Sequence, residues 1–219
     1  LQTFNLGTGD DVITVSAAGT GLYQLNGEAG NDLFKFTEAP TADTIGVDGG
    51  AGTADSVTAA ATAAAMIFDT WANIEKFQDN TNQAVTFKVA SGYADAMEIT
   101  TINTTGVTTF DAVSASSTID LSKLTFTGAA FGAVTQLVLT NSSNGTNTLT
   151  GAATQATTIN GGTGADTITG GTGADALNGN AGADTINGGA GVDAINGGTG
   201  ADNVTGAAGT DAITIGKAG

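Results

Sequence analysis

The sequence predicts an all-β chain built as a right-handed parallel β-solenoid. Three observations carry that prediction. A nine-residue Gly/Asp repeat runs without a gap from Gly161 to Thr214. Short β-branched or aromatic runs, separated by polar turns, recur through the rest of the chain. Aromatic residues are only 5% of the 219, too few to fill a thick globular core, while a 40% apolar content argues against disorder.

The repeat reads GGTGADTIT, GGTGADALN, GNAGADTIN, GGAGVDAIN, GGTGADNVT and GAAGTDAIT. Asp166, Asp175, Asp184, Asp193, Asp202 and Asp211 recur every nine residues, and an aliphatic follows each by two places, from Ile168 to Ile213. Gly164, Gly173, Gly182, Gly191, Gly200 and Gly209 hold the fourth position. The glycines let the first six residues form a tight turn. The last three form a short strand whose central side chain points to one face. One inward aliphatic per unit cannot make a core alone, but stacked units make a continuous apolar file. Two nonapeptides then complete one turn, with parallel strands about 4.8 Å apart.

That register lines up Asp166, Asp184 and Asp202 along one edge and Asp175, Asp193 and Asp211 along the other. Carboxylates about 5 Å apart repel by about 3 kcal/mol at an effective dielectric of about 20. A divalent cation between successive turns removes this repulsion. Turn carbonyls complete an all-oxygen shell that suits Ca²⁺ better than Mg²⁺, which demands strict octahedral geometry. The candidate ligands are therefore the six aspartates with Gly162, Gly164, Gly171, Gly173, Gly182, Gly189, Gly191, Gly198 and Gly200. Several Ca²⁺ ions are expected. A flexible Gly-rich linker would have no reason to keep Asp and an aliphatic in register.

The unit GGxGxDxUx resembles the nonapeptide of the repeats-in-toxin (RTX) family, whose fold is a Ca²⁺-bound parallel β-roll. Six consecutive copies cover 54 residues, a quarter of the chain. Asn180 and Ala207 depart from it by replacing the second glycine.

Towards the N-terminus the same signature is looser. Copies run over 6–14 and 27–35, and Gly49-Gly50-Ala51-Gly52 followed by Asp55-Ser56-Val57 is a third. They add Asp11, Asp32 and Asp55 to the candidate ligands, spaced 21 and 23 apart. Each turn here is expected to hold two strands, one Asp loop and a longer plain loop opposite. The chain thus divides into a degenerate solenoid over 1–58, a Ca²⁺-poor section over 59–160 and the regular roll over 161–219. In the middle section, runs such as 84–89, 97–102, 107–110, 134–139 and 157–160 fit a metal-free solenoid or a β-sandwich insert. Residues 59–77, rich in Ala with Ile67, Trp71, Ile74 and Phe77 spaced 4, 3 and 3, are the one helix candidate. A short helical turn near Asp69–Ile74 leading into a strand over 75–78 is the expectation. Trp71 reads as a core or lid residue in preference to a sugar-stacking platform.

Composition removes many functions. The chain has no His and no Cys, so zinc sites of the usual kind, Ser-His or Cys-His nucleophiles and haem or iron–sulfur ligation are excluded. Five lysines, no arginine and 21 acids give a net charge of −16, which opposes binding to nucleic acid or anionic lipid. No apolar run approaches the ~20 residues of a membrane span. Neither Gly-x-Ser-x-Gly nor a Walker-type loop occurs, and no enzyme activity is expected.

The succession of an Asp loop, an Ala/Thr-rich stretch and Ala72-Asn73-Ile74-Glu75-Lys76-Phe77 resembles RTX-bearing bacterial surface-layer proteins of the Caulobacter type. The resemblance implies an extracellular, cell-surface segment, exported by type I secretion through a C-terminal signal beyond Gly219. Such a segment would fold on meeting Ca²⁺ at ~10⁻⁴–10⁻³ M. It would self-associate into a lattice or filament, with cell-surface polysaccharide as a further partner. Two alternatives stay open: the accessory domain of a secreted protease or lipase, and a region of an RTX adhesin. The irregular section over 59–160 favours a surface protein.

Overall fold

The computed structural model describes residues 1–16, 23–37, 45–59, 66–79, 85–89, 98–101, 107–112, 118–123, 125–127, 136–141 and 145–216. Among these there is no helix, and every strand pairing given is parallel. The chain forms two compact units: Leu1–Lys88 with Asp95–Thr108 and Leu124–Thr135, and Val89–Ala94 with Thr109–Lys123 and Gln136–Gly219. In chain order the strands are β1 (Gln2–Asn5), β2 (Val12–Val15), β3 (Tyr23–Asn26), β4 (Leu33–Phe36), β5 (Ile45–Asp48), β6 (Ser56–Ala59), β7 (Met66–Ala72), β8 (Lys76–Asp79), β9 (Val85–Val89), β10 (Glu98–Thr101), β11 (Val107–Ala112), β12 (Thr118–Asp120) and β13 (Thr125–Thr127). They continue as β14 (Gln136–Asn141), β15 (Thr148–Thr150), β16 (Thr157–Thr163), β17 (Thr167–Gly171), β18 (Ala176–Ala181), β19 (Thr185–Ala190), β20 (Ala194–Asn196), β21 (Asn203–Ala208) and β22 (Ala212–Thr214).

In the first unit, odd-numbered strands stack as β1-β3-β5-β7-β9, and the other sheet runs β2-β4-β6-β8-β10-β13. Each turn therefore contributes one strand to each sheet, which is the definition of a solenoid. The register places Phe4, Leu25, Val47 and Trp71 in one file and Ile13, Phe34, Val57 and Phe77 in the other. Phe34, Val57 and Phe77 are fully buried. Each such side chain contributes about 1.5–3 kcal/mol by leaving water.

The second unit stacks β14-β16-β18-β20-β22 against β12-β15-β17-β19-β21. Its register advances by 18 residues: Ile159 pairs with Leu177, Leu177 with Ile195 and Ile195 with Ile213, while Ile168 pairs with Ile186 and Ile186 with Val204. This is the two-nonapeptides-per-turn arrangement that the nine-residue period requires. Parallel pairing also holds for the described strands of the middle section. The described strands between 59 and 160 extend solenoid stacks, whereas a sandwich of hairpins would pair antiparallel.

One expectation fails. Asp69–Ile74 is not a helical turn: Met66–Ala72 is a strand paired with β5 through a bulge between Ile45 and Gly46. The 4, 3, 3 spacing of apolar residues is met by strand, tight turn and strand instead. Asn73 takes the corner at φ 51°. Trp71 and Phe77 then face each other across the core, edge to face, with ring centroids 5.8 Å apart. Stacking Trp71 on Val47 outweighs the helix propensity of the neighbouring alanines. Trp71 is buried, as a core residue should be. The Ala-rich stretch 60–65 and the loops expected opposite the Asp turns lie outside the described residues.

Candidate metal centres

The repeat turns build two files of carboxylates in the second unit. Each Asp follows a Gly-rich bend and directly precedes a strand, so its backbone amide points along the stack towards the next turn. The Asp166 amide donates to Asp184 Oδ1 at 2.8 Å, and the Asp184 amide donates to Asp202 Oδ1 at 3.1 Å. On the other edge Asp175 donates to Asp193 Oδ1 at 2.9 Å and Asp193 to Asp211 Oδ1 at 3.0 Å. Asp166, Asp175, Asp184 and Asp193 are at most 2% exposed. The first unit repeats the device. The Asp11 amide donates to Asp32 Oδ1 at 3.0 Å, and the Asp32 amide donates to Asp55 Oδ1 at 2.6 Å.

In Asp32, Asp55, Asp166, Asp175, Asp184, Asp193 and Asp202, Oδ1 is engaged by the preceding turn and Oδ2 is left over; Asp11, in the first turn, likewise leaves Oδ2 over. Eight such oxygens are buried without a hydrogen-bond partner: those of Asp11, Asp32, Asp55, Asp166, Asp175, Asp184, Asp193 and Asp202. A buried, unpaired carboxylate oxygen is costly. Eight in corresponding positions mark a site built for a positive charge. Among the described residues no three His, Cys, Asp or Glu side chains gather. Each site therefore offers single carboxylates with backbone oxygens, a donor set that fits a hard cation with a large, flexible shell such as Ca²⁺.

Several of the glycines expected as ligands stack carbonyl to α-carbon from turn to turn. The carbonyl oxygens of Gly164, Gly173, Gly182 and Gly191 face the α-carbons of Gly182, Gly191, Gly200 and Gly209 one turn on. In the second position Gly171 O faces Gly189 and Gly198 O faces Gly216, while Gly162 pairs with Asn180 in the ladder. The first position of the repeat adds oxygens that the nine-residue pattern alone does not single out. The carbonyls of Gly179, Gly188, Gly197 and Gly206 approach the α-carbons of Gly161, Gly170, Gly179 and Gly188, beside Oδ2 of Asp166, Asp175, Asp184 and Asp193 respectively. These are further oxygens that could complete a shell.

Three other residues were missed because only aspartate was sought. Glu75 Oε2 accepts the Asp55 amide at 2.7 Å and so continues the file of the first unit. The Asn147 amide and its Nδ2 donate to Asp166 Oδ1 at 2.8 and 2.7 Å, and the Thr157 amide donates to Asp175 Oδ1 at 2.7 Å. The signal for the last two was present: Leu149 and Ile159 each follow by two places, as after every Asp of the repeat.

Second-position residues are left-handed whether or not they are glycine. Glu28, Asn180 and Ala207 lie at φ 71°, 71° and 70°. A side chain there costs roughly 1–2 kcal/mol. Ala207→Gly should accordingly raise the urea midpoint of the Ca²⁺-loaded chain, by an amount equivalent to about 1 kcal/mol. A lower midpoint would show that Ala207 makes a compensating contact.

Burial pushes the Asp175 carboxyl up to about 6, against the opposing hydrogen bond from Thr157 and with help from the Asp193 charge. Burial also raises Asp166, Asp184 and Asp55 above 3.8. A carboxyl whose pKa is higher folded than unfolded takes up a proton on folding. It therefore favours the fold at low pH and loses that contribution as pH rises from 3.8 to about 6. In excess chelator, β signal should consequently be greater near pH 5 than near pH 7.5. With saturating Ca²⁺ the order should reverse, since the cation needs carboxylates. Circular dichroism across both titrations checks the pair of signs.

Position in the file should matter too. Asp184 accepts from one turn and donates to the next, whereas Asp211 is only half-buried. Asp184→Ala should weaken Ca²⁺ binding more than Asp211→Ala in a calorimetric titration. Equal losses would count against shared ions between turns.

Residues 155–186 and 187–214 match the family model described as the RTX calcium-binding nonapeptide repeat (4 copies). These residues are the second unit's regular turns, with Asp166 to Asp211 in their two files. No curated protein and no solved structure matches the chain.

Proposed function

We propose that this chain, with calcium-binding RTX repeats over 155–214, is a Ca²⁺-stiffened structural segment of a secreted bacterial surface protein, of the surface-layer or extracellular-lattice kind. The eight orphaned Oδ2 atoms carry this reading. They recur from turn to turn in each of the two units, which supports a cation that serves the stacking of turns. A cation that completes such buried carboxylates adds its binding free energy to folding. At the ~10⁻⁴–10⁻³ M affinity of extracellular modules, the chain would stay open in a Ca²⁺-poor compartment and close outside.

Ca²⁺ has a second effect. The chain carries −16, and bound cations lower the repulsion between copies. The parent protein should therefore form ordered sheets or filaments at roughly millimolar Ca²⁺. Light scattering and negative-stain microscopy over a Ca²⁺ titration test this. A parent that folds fully yet stays monodisperse at high concentration would reject the lattice and favour an accessory domain of a secreted enzyme.

A further inference from the structure

Five of the chain's six Asn-Gly dipeptides begin in described strands: Asn26-Gly27 and Asn196-Gly197 at the ends of β3 and β20, and Asn160-Gly161, Asn178-Gly179 and Asn187-Gly188 within β16, β18 and β19. In each, the glycine opens an Asp loop. All five glycines are buried, while the asparagines are half-buried or exposed. This junction has its own chemistry. The amide nitrogen after an asparagine can attack the side-chain Cγ, and a following glycine offers no side chain to hinder it. A new N–Cγ bond closes a five-membered succinimide, and the side-chain amide leaves as ammonia. Water then opens the ring at either carbonyl, giving aspartate or isoaspartate. The reaction needs water alone.

The folded stack opposes every part of that step. The Gly27 amide donates to Asp48 O at 2.8 Å and the Gly197 amide donates to Thr214 O at 3.0 Å. The Asn26 side chain is held by Asn5 at 2.7 Å and Gln24 at 2.9 Å. Asn178 Nδ2 donates to Asn160 Oδ1 at 3.2 Å, and Asn187 Oδ1 accepts the Gly189 amide at 3.2 Å. Each glycine α-carbon also packs against the carboxylate of its own loop, from Asp32 for Gly27 to Asp202 for Gly197. Ring closure requires the asparagine to rotate out of the strand, which breaks the ladder locally.

We propose that these five junctions are self-modification sites at which the chain deamidates when unfolded and is protected when stacked. The products are harmful where they form. Isoaspartate adds a backbone carbon immediately before the loop and shifts the register. Aspartate at Asn160, Asn178 and Asn196 places like charges on neighbouring strands of one sheet. Time spent open would then be recorded irreversibly at the entrances to the cation loops. The role of Ca²⁺ in setting that time rests on the function proposed above; the protection by the fold does not.

The test is to incubate the full chain at mildly alkaline pH in Ca²⁺, in chelator, and in Ca²⁺ with denaturing urea. Peptide mass spectrometry follows each site, and circular dichroism follows the fold. Deamidation at the five junctions should be roughly tenfold or more slower in Ca²⁺ than in urea. Asn203, followed by β-branched Val204, should stay intact in all arms. Equal rates at the five sites in the folded and urea arms would overturn the proposal. A chelated chain that stays folded and intact, while the urea sample deamidates, would uphold protection by the fold and sink its control by Ca²⁺.

Discussion

Chelating Ca²⁺ at neutral pH should abolish the strand signal of the regular repeats, and adding Ca²⁺ back should restore it. The magnitude follows from the unpaired oxygens. Asp166, Asp175, Asp184, Asp193 and Asp202 each bury one carboxylate oxygen without a partner. Leaving such a group unsatisfied costs about 1–3 kcal/mol, and more when it is charged. For five of them this is on the order of 5–15 kcal/mol, which equals the whole stability of a typical domain. The aliphatic files, one residue per nonapeptide, have little surplus with which to offset it. Bound Ca²⁺ satisfies these oxygens, and the net stabilisation is about 2.7 kcal/mol per site at a hundredfold excess over Kd. Far-ultraviolet circular dichroism with limited proteolysis measures the effect. Identical spectra and identical protease resistance with and without chelator would refute it.

Gly179→Ala should be nearly as damaging as losing the ion, although alanine is the smallest change available. A Cβ on Gly179 would strike Asp184 Oδ2 and come within 2.5 Å of Gly197 O and 3.0 Å of Asp184 Cγ. Backbone cannot move aside without breaking the ladder, so the carboxylate must swing out. Overpacking alone costs about 1–3 kcal/mol. Displacing Asp184 also unmakes its bond to the Asp166 amide and removes one Oδ2 from the file. The expected result is a loss of about 3 kcal/mol or more in Ca²⁺-saturated stability, with a weaker Ca²⁺ titration. Wild-type Ca²⁺ affinity in this variant would mean that the loops have slack the close contacts deny.

The parts of the fold legible in the sequence were those fixed by strict periods. Asp every nine residues with an aliphatic two places on leaves one arrangement in which all aliphatics face inward, and the 18-residue register follows. Asp11, Asp32 and Asp55 were readable despite irregular spacing, because glycines precede each of them. Glu75 was not, since its loop has no glycine and a glutamate stands where the other turns carry aspartate. Asn147 and Thr157 were obscured for another reason. At the start of the regular stack they serve as amide donors to the aspartates of the next turn, and a donor needs no acidic side chain. Met66–Ala72 was misread because alanine content and a 3/4 spacing speak for a helix locally. The stacking of Trp71 on Val47, set by residues 24 positions away, decides the matter.

The bond from each aspartate amide to the carboxylate one turn later gives the stack a polarity. A turn's amide is satisfied only by its C-terminal neighbour: Asp166 by Asp184, and Asp184 by Asp202. Dependence therefore runs one way. Damage at Asp202 orphans the amide of Asp184 and loosens its turn, which then holds Asp166 less well. Damage at Asp166 takes an acceptor from Asn147 but none from Asp184 or Asp202. The file behaves as a ratchet that opens from its C-terminal side. A chain of this kind would close fastest if its later repeats were free to order before its earlier ones.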